Sequence, residues 1–268
     1  MNIIRKGQLN TCNIREKVIS DTSVTYITFD NLEQTGIIRQ GFSTRLGGVS
    51  EGEFASMNLS FSRNDDPQAV MENYRRLTAI MDCTPDDVVA SHQTHTTNVR
   101  RVSSADKGKG VTREKDYSDI DGLITDESGV LLACFFADCV PLYFVDPVHH
   151  AIGLAHSGWR GTVGKIGKNT VQLMQENFGS KPEDLLAAVG PSVCMDCYEV
   201  SEDVAEAFAK EFPDNEKEIL KSKGSGKYLL DLWRANEIVF MEAGVPKEQI
   251  VTCLLYTSDA ADEGLGVD

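Results

Sequence analysis

The sequence predicts an α+β fold with mixed, hairpin-containing sheets. Three observations carry this reading. Apolar β-prone runs and amphipathic helical runs alternate irregularly, hairpin signals are present, and no strand–helix unit recurs in the way a doubly wound parallel sheet requires. The 268 residues are enough for one large domain or two small ones. They contain no internal repeat and no low-complexity linker, so residues 1–253 are read as a single domain.

In order along the chain, Val24 to Phe29 and Gly36 to Phe42 read as two short strands, and Arg45 to Gly52 as a glycine-rich loop. Asp66-Pro67 opens a helix to about Met81, with a capping carboxylate followed by proline at the first helical position. Val88-Val89 leads as a strand into the segment around His95, and Asn98 to Val102 and Gly122 to Ile124 are further short strands. Lys107 to Asp119, charged and containing glycine, reads as a mobile surface loop. Val130 to Phe136 and Leu142 to Val145 are apolar strand runs, Asp146-Pro147 a turn, and Ala151 to Ala155 the return strand. An amphipathic helix follows Gly161 and ends at Gly179. Pro182 to Leu186 is a helical turn and Ala187 to Gly190 a buried strand. Ser201 caps a helix to Phe212, Lys221 to Lys227 is a loop, and Asp231 caps a helix that Gly244 ends.

Composition excludes several classes of function. Apolar content of 41% with mixed charge describes an ordinary globule. A net charge of −15 with no basic run argues against nucleic acid and anionic membranes as partners. No run approaches the roughly 18 apolar residues of a membrane span, and Met1 to Lys17 has no long apolar stretch, so no signal peptide is expected there. The seven cysteines are scattered and odd in number, which suggests reduced thiols in a cytoplasm. Cys194-Met195-Asp196-Cys197 is a lone CxxC. A structural zinc site would need a second such pair, and a thioredoxin-type role would need a helix N-terminus within a βαβ unit.

The chemistry concentrates in Ala137-Asp138-Cys139-Val140-Pro141 and Ala155-His156-Ser157-Gly158-Trp159-Arg160-Gly161. A turn centred on Pro147-Val148 would pair Cys139 with His156, Cβ atoms roughly 5 Å apart. That separation suits two ligands of one metal ion, or a thiol and its base; either residue alone is also an ordinary core residue. His95, in Ser91-His92-Gln93-Thr94-His95, is the third candidate. Two histidines and one cysteine leave zinc an open fourth position, as in catalytic sites. His92 lies three residues from His95, hence on the opposite strand face. Asp138 is a candidate to orient a ligand or carry a proton, or else a turn cap. Arg45 and Arg160 are candidates for phosphate, or else surface ion pairs. Asn58 and Gln93 are candidates to read a base or sugar, or else to satisfy loop backbone.

At these residues the chain resembles the laccase-like multicopper polyphenol oxidase family, also described as zinc-dependent purine nucleoside phosphorylases and, for some members, as peptidoglycan editing factors. The resemblance runs from about Gly41 to about Ile250. It is carried by Gly41-Phe42-Ser43-Thr44-Arg45-Leu46-Gly47-Gly48-Val49-Ser50, Met57-Asn58-Leu59-Ser60, Gln93-Thr94-His95 and Asp121-Gly122-Leu123-Ile124-Thr125. The two segments of the preceding paragraph follow, then Gly190-Pro191-Ser192-Val193-Cys194, Cys197-Tyr198-Glu199-Val200 and Asp231-Leu232-Trp233-Arg234-Ala235-Asn236. The resemblance implies a single layered α/β/β/α catalytic domain and metal ligands at His95, Cys139 and His156. It implies phosphorolysis of adenosine, inosine and methylthioadenosine, with adenosine deamination as a second activity. Purine nucleosides and phosphate are the partners it implies; no protein partner is predicted.

The oxidase label implies copper, which is disfavoured: one histidine–cysteine–histidine set among five histidines is a poor basis for multicopper chemistry. Two rival readings remain. One is a metal-free cysteine hydrolase or deamidase with Cys139 as nucleophile and His156 as base. The other is a scaffold whose zinc only stabilises it.

The chain departs from the family's pattern twice. Arg63-Asn64-Asp65-Asp66 replaces a Gly-Asp-Asp turn, with Asn64 expected to supply the left-handed backbone. The segment from Cys253 to Glu263 replaces a cysteine-bearing strand and an aromatic-Arg-Arg run, and resembles translated sequencing-adapter DNA. Residues 254–268 are therefore expected to be a non-native tail.

Overall fold

The computed structural model describes residues 11–253, together with the backbone of two paired strands, Ile3–Arg5 and Leu255–Thr257. Apart from that strand, the expected non-native tail, 254–268, lies outside the described residues. At the centre is a six-stranded sheet. Its strands lie in the order Ile250–Thr252, Leu186–Val189, Val140–Asp146, Ala151–Ser157, Gly122–Thr125 and Val99–Arg101. The outermost pair on each side is parallel and the inner pairs are antiparallel, so the sheet is mixed.

Strand Val140–Asp146 is buried along its whole length, so its alternating side chains serve two cores. Leu142 and Phe144 pack with Val171, Met174 and Phe240 from the helices Ile166–Phe178 and Leu232–Glu242. Tyr143 and Val145 face the other way, toward Ile27, Phe29 and Leu32. A second sheet, of Asn13–Ile19, Thr22–Thr28 and Phe42–Ser43, supplies that layer. Helix Pro67–Ile80 packs beyond it, where Leu77 and Ile80 meet Val24. The order helix, sheet, sheet, helix is the expected layering. No described helix is long and apolar enough to cross a membrane.

Local rules place most elements. Asp66 accepts from the Gln68 N–H and Pro67 starts the helix as expected. Asp231 caps Leu232–Glu242 by accepting from the Arg234 N–H. Gly179, at φ +74°, ends Ile166–Phe178 in the left-handed conformation.

Other expectations are corrected. The helix after Gly161 is two helices, Trp159–Val163 and Ile166–Phe178, because Lys165 takes left-handed backbone between them. The run Gly36 to Phe42 contributes only Phe42–Ser43 as strand, while Asn13–Ile19, with the consecutive polar residues Arg15, Glu16 and Lys17, forms an edge strand. The loop at Lys221 to Lys227 is a hairpin of Leu220–Gly224 and Lys227–Leu230. Lys107 to Asp119 is pinned by backbone hydrogen bonds from Gly108 N to Val88 O and from Ala90 N to Lys109 O. Asn64 does not adopt positive φ; the turn closes through Asp65 N to Arg63 O. Ser201 precedes its helix without capping a backbone N–H, because its hydroxyl donates to the Asp203 carboxylate instead.

The central hairpin differs by two residues from the expected register. Ala151 pairs with Asp146 and His156 with Pro141, leaving the four residues Pro147 to His150 as the loop. The buried Asp146 carboxylate sets this loop length. It accepts from the N–H groups of Val148 and His149 and contacts His149 Nδ1 at 2.8 Å. A two-residue slip preserves the faces, since side chains alternate with period two. Cys139 and His156 therefore keep the side that the expected register assigned them. Replacing Asp146 by Ala leaves the turn's donors without their acceptor and is expected to cost about 1–3 kcal/mol; urea unfolding measures it.

Candidate active site

The site forms where three segments meet at one end of the central hairpin. His156 closes the return strand, Cys139 precedes Val140, and His95 sits in the loop after Val88–Ala90. One ligand atom from each of the three lies within 4.8 Å of the others. Cys139 Sγ is 3.8 Å from His95 Nε2, and the two imidazole rings are 5.0 Å apart, edge to face. His156 is buried, Cys139 half-buried and His95 exposed, so the cluster opens to solvent on one side.

Asp121 builds this cluster. Its buried carboxylate contacts His156 Nδ1 at 2.9 Å, which leaves His156 Nε2 to face the other ligands. It also accepts from the backbone N–H groups of Thr94, His95 and Thr96 and from the Thr96 hydroxyl. Burial would raise its pKa, but these hydrogen bonds, His156 first, outweigh that and hold it at about 2. The same bonds hold His95 at φ +64°, a conformation a non-glycine residue rarely adopts without such support. The Asp121 carbonyl also accepts from the His156 N–H at 2.7 Å.

Burial, and next the neighbouring His156, lower the pKa of His95, which favours the neutral ring that binds a cation. Burial, then Asp138 and Asp121, push the Cys139 thiol up to about 11. Continuing the hairpin register by one step places Gly158 opposite Cys139. A Cβ on Gly158 would stand 2.9 Å from His95 Cδ2 and 3.0 Å from Cys139 Sγ. Only glycine leaves the three ligand atoms room to converge. Two imidazoles and a thiol, with an exposed side, match the donor set of an open zinc site.

Behind His156 the chain enters a buried polar triangle. The Ser157 hydroxyl donates to Asn236 Oδ1 at 2.9 Å, and Asn236 Nδ2 donates to Thr162 Oγ1 at 3.1 Å and to Leu232 O. The Thr162 hydroxyl donates to Gly158 O. This triangle fixes the turn that carries Arg160.

The other predicted residues divide into two groups. Arg160 is exposed beside the cluster, its guanidinium 4.2 Å from the Trp159 ring centre, and its charge acts on His95. Asp138 is next to Cys139, and its carbonyl accepts from Val193 N–H. Gln93 spans the backbone of Phe135, accepting from its N–H at 2.7 Å and donating to its carbonyl at 2.6 Å. Arg45 and Asn58 line a cavity of about 420 Å³ between the two sheets, with Phe42, Phe135, Phe136 and Tyr143. Phe136 stands between the two regions, its ring 5.6 Å from that of His156 and 6.1 Å from that of Phe42. Asn58 Nδ2 donates to Asp65, and the buried Asn73 ties the Asn58 carbonyl to Ser50.

Sequence reasoning did not assign roles to Asp121, Gly158, Asn236 or Tyr198. Asp121 and Asn236 stand in the motifs already quoted, but their partners lie 35 and 79 residues away, a separation that motif reading does not supply. Tyr198 is pushed up to about 12 by burial, then by Cys139 and Asp138. Asp121→Asn sets an amide N–H₂ against these donors. It is expected to weaken metal binding by about 10–100-fold, read by chelator competition.

Comparison with known proteins fits this geometry. The chain is 38% identical over 222 residues to purine nucleoside phosphorylase YlmD of Geobacillus stearothermophilus, covering 81% of this chain and 80% of that protein. It is 33% identical over 214 residues to adenosine deaminase RL5 from an unknown prokaryotic organism, covering 79% and 81% respectively. The crystal structure of Bacillus licheniformis hypothetical protein YfiH superposes with a TM-score of 0.80 at 31% identity, covering 89% of each chain. The model of the multi-copper polyphenol oxidoreductase laccase family matches residues 39–263, and the chain belongs to that family.

Proposed function

We propose that the chain is a zinc-dependent purine nucleoside phosphorylase of the cytoplasm, acting on adenosine, inosine and methylthioadenosine, with adenosine deamination as a second activity. The observation that carries this is the single open cluster of His95, Cys139 and His156 in a chain whose relatives bear phosphorylase and deaminase names. Among the described residues it is the one such cluster, enough for one ion and not for the several of a multicopper oxidase. When bound there, zinc supplies a Lewis acid that polarises an oxygen.

The chain's own residues do the rest. Arg160 and Arg45 bind phosphate, whose oxygen attacks ribose C1′ as the N-glycosidic bond breaks. Asp138 carries the proton that the departing purine nitrogen takes up. Asn58 orients the nucleoside, and Gln93 contributes by fixing Phe135, an exposed ring at the cavity. In deamination, water displaces the C6 amine.

One observation favours the rival hydrolase. Cys139, His156 and Asp121 have the order of a thiol, its base and an orienting carboxylate. Against it stand the elevated Cys139 thiol, where a nucleophile needs a lowered one, and His95 beside the sulfur.

Elemental analysis separates the two. About one zinc per chain is expected, lost in Cys139→Ser. Adenosine turnover is expected to give free adenine only with phosphate present, and Arg160→Ala to raise the KM for phosphate. Metal-free protein that hydrolyses amides or esters would establish the hydrolase instead.

A further inference from the structure

Cys194 and Cys197 lie outside the metal cluster, and the proposed reaction does not use them. Their sulfurs are 3.3 Å apart, with the Cys194 thiol donating to Cys197 Sγ. Cys194 is buried at 3% exposure and Cys197 is exposed. The Cys197 N–H donates to Cys194 O at 3.0 Å, closing a tight turn over Met195–Cys197. Such a turn holds the two Cα atoms within about 7 Å, inside the span a disulfide bridges. Bond formation needs the sulfurs to close from 3.3 Å to about 2.0 Å, a side-chain adjustment.

The turn is fastened to the strand entry that carries Cys139. Val193 N donates to Asp138 O at 3.1 Å, and Gly190 N donates to Pro141 O at 2.8 Å. These two bonds bracket Cys139 on its own chain. Gly190 also packs so closely on Pro141 that a Cβ there would lie 2.8 Å from the proline ring. A covalent change at residues 194–197 is thus one hydrogen bond from the backbone beside a proposed metal ligand.

We propose that Cys194 and Cys197 are a reversible thiol–disulfide site whose state is felt at the nucleoside site. The oxidant is a low-molecular-weight disulfide such as oxidised glutathione. The exposed Cys197 thiolate attacks it, forming a mixed disulfide and releasing one thiolate. The Cys194 thiolate then attacks Cys197 Sγ, closing the intramolecular bond and releasing the second thiolate. The dithiol loses two electrons and two protons, and the small disulfide gains both to become two thiols. This differs from a thioredoxin-like role, since the exposed sulfur is the second of the pair and the substrate is the protein itself.

The test is peptide mass mapping of the full chain after equilibration in glutathione buffers of graded ratio, with alkylation of the remaining thiols. The expected result is a peptide in which Cys194 and Cys197 are joined, returned to two alkylated thiols by excess reductant. In Cys194→Ser the reaction is expected to stop at a stable mixed disulfide on Cys197. A wild-type peptide that stays dithiol, or stops at the mixed disulfide, overturns the site. Coupling rests on the proposed reaction and is read separately: oxidised wild type is expected to lose adenosine turnover several-fold. The Cys194→Ser/Cys197→Ser double variant, treated identically, is expected to lose none. Equal responses of the two proteins overturn the coupling. The mass result decides the disulfide whether or not adenosine proves to be a substrate.

Discussion

The Asp121 carboxylate is the constraint on which the site depends. It is a fully buried charge, and a buried carboxylate is tolerated only when its oxygens are satisfied. Here the donors come from two places that sequence separates widely, the loop of Thr94 to Thr96 and the ring of His156. The requirement to satisfy one group therefore fixes the relative position of both imidazoles. It also fixes their chemistry. A ring whose Nδ1 is held by a carboxylate turns Nε2 toward the cluster, and a loop whose amides are all directed at one anion can hold His95 in a strained conformation. The cost of burying the charge is thus offset by the same bonds that preorganise the ligands.

The location of the cluster follows from strand parity. Along Val140–Asp146 and Ala151–Ser157, one set of alternate side chains faces the helices and the other faces the second sheet. His156 belongs to the second set, as do Ile152 and Leu154. Its strand ends where the inter-sheet layer meets solvent, so an apolar face passes without a break into a polar cluster. The cavity with Arg45 and Asn58 lies in that same layer, and Phe136 touches both regions. The helices on the opposite face support this arrangement through Asn236, which reaches from Leu232–Glu242 to Ser157 beside His156.

Much of this was legible in the residues. Helix starts at Asp66 and Asp231 and the stop at Gly179 obey capping rules that act within one turn, and such rules survive tertiary context. The convergence of Cys139 and His156 was legible because hairpin neighbours are local even when their ligand partner is not. The register was misplaced because the loop length is set by Asp146, whose side chain folds onto its own turn, and residue spacing does not display that bond. The error did not move the side chains to the wrong face because it was even. The strand Asn13–Ile19 was missed since an edge strand with exposed Arg15 and Glu16 lacks an apolar alternation. Asp121 was visible as a motif residue but not as a hub, because its role exists only once distant segments are brought together.

The properties of Cys139 distinguish what a cation site and a nucleophile would each require of the cluster. In the protein alone, burial and two nearby carboxylates oppose thiolate formation and place its pKa at about 11. A nucleophilic cysteine requires the reverse, a positive or hydrogen-bonding neighbourhood that draws the pKa down. His95 Nε2, 3.8 Å from the sulfur, does not supply that charge, since His95 itself is shifted toward the neutral ring. Both shifts have burial as their first cause: two imidazoles and a thiol are crowded into one half-buried space. Such a space disfavours a proton on the His95 ring and a bare charge on sulfur alike. A divalent cation resolves both at once, since it binds neutral imidazole and thiolate together and attracts the carboxylates that otherwise repel the sulfur. The electrostatics of the donor set are thus those that a positive charge, which the side chains themselves do not carry, would complement.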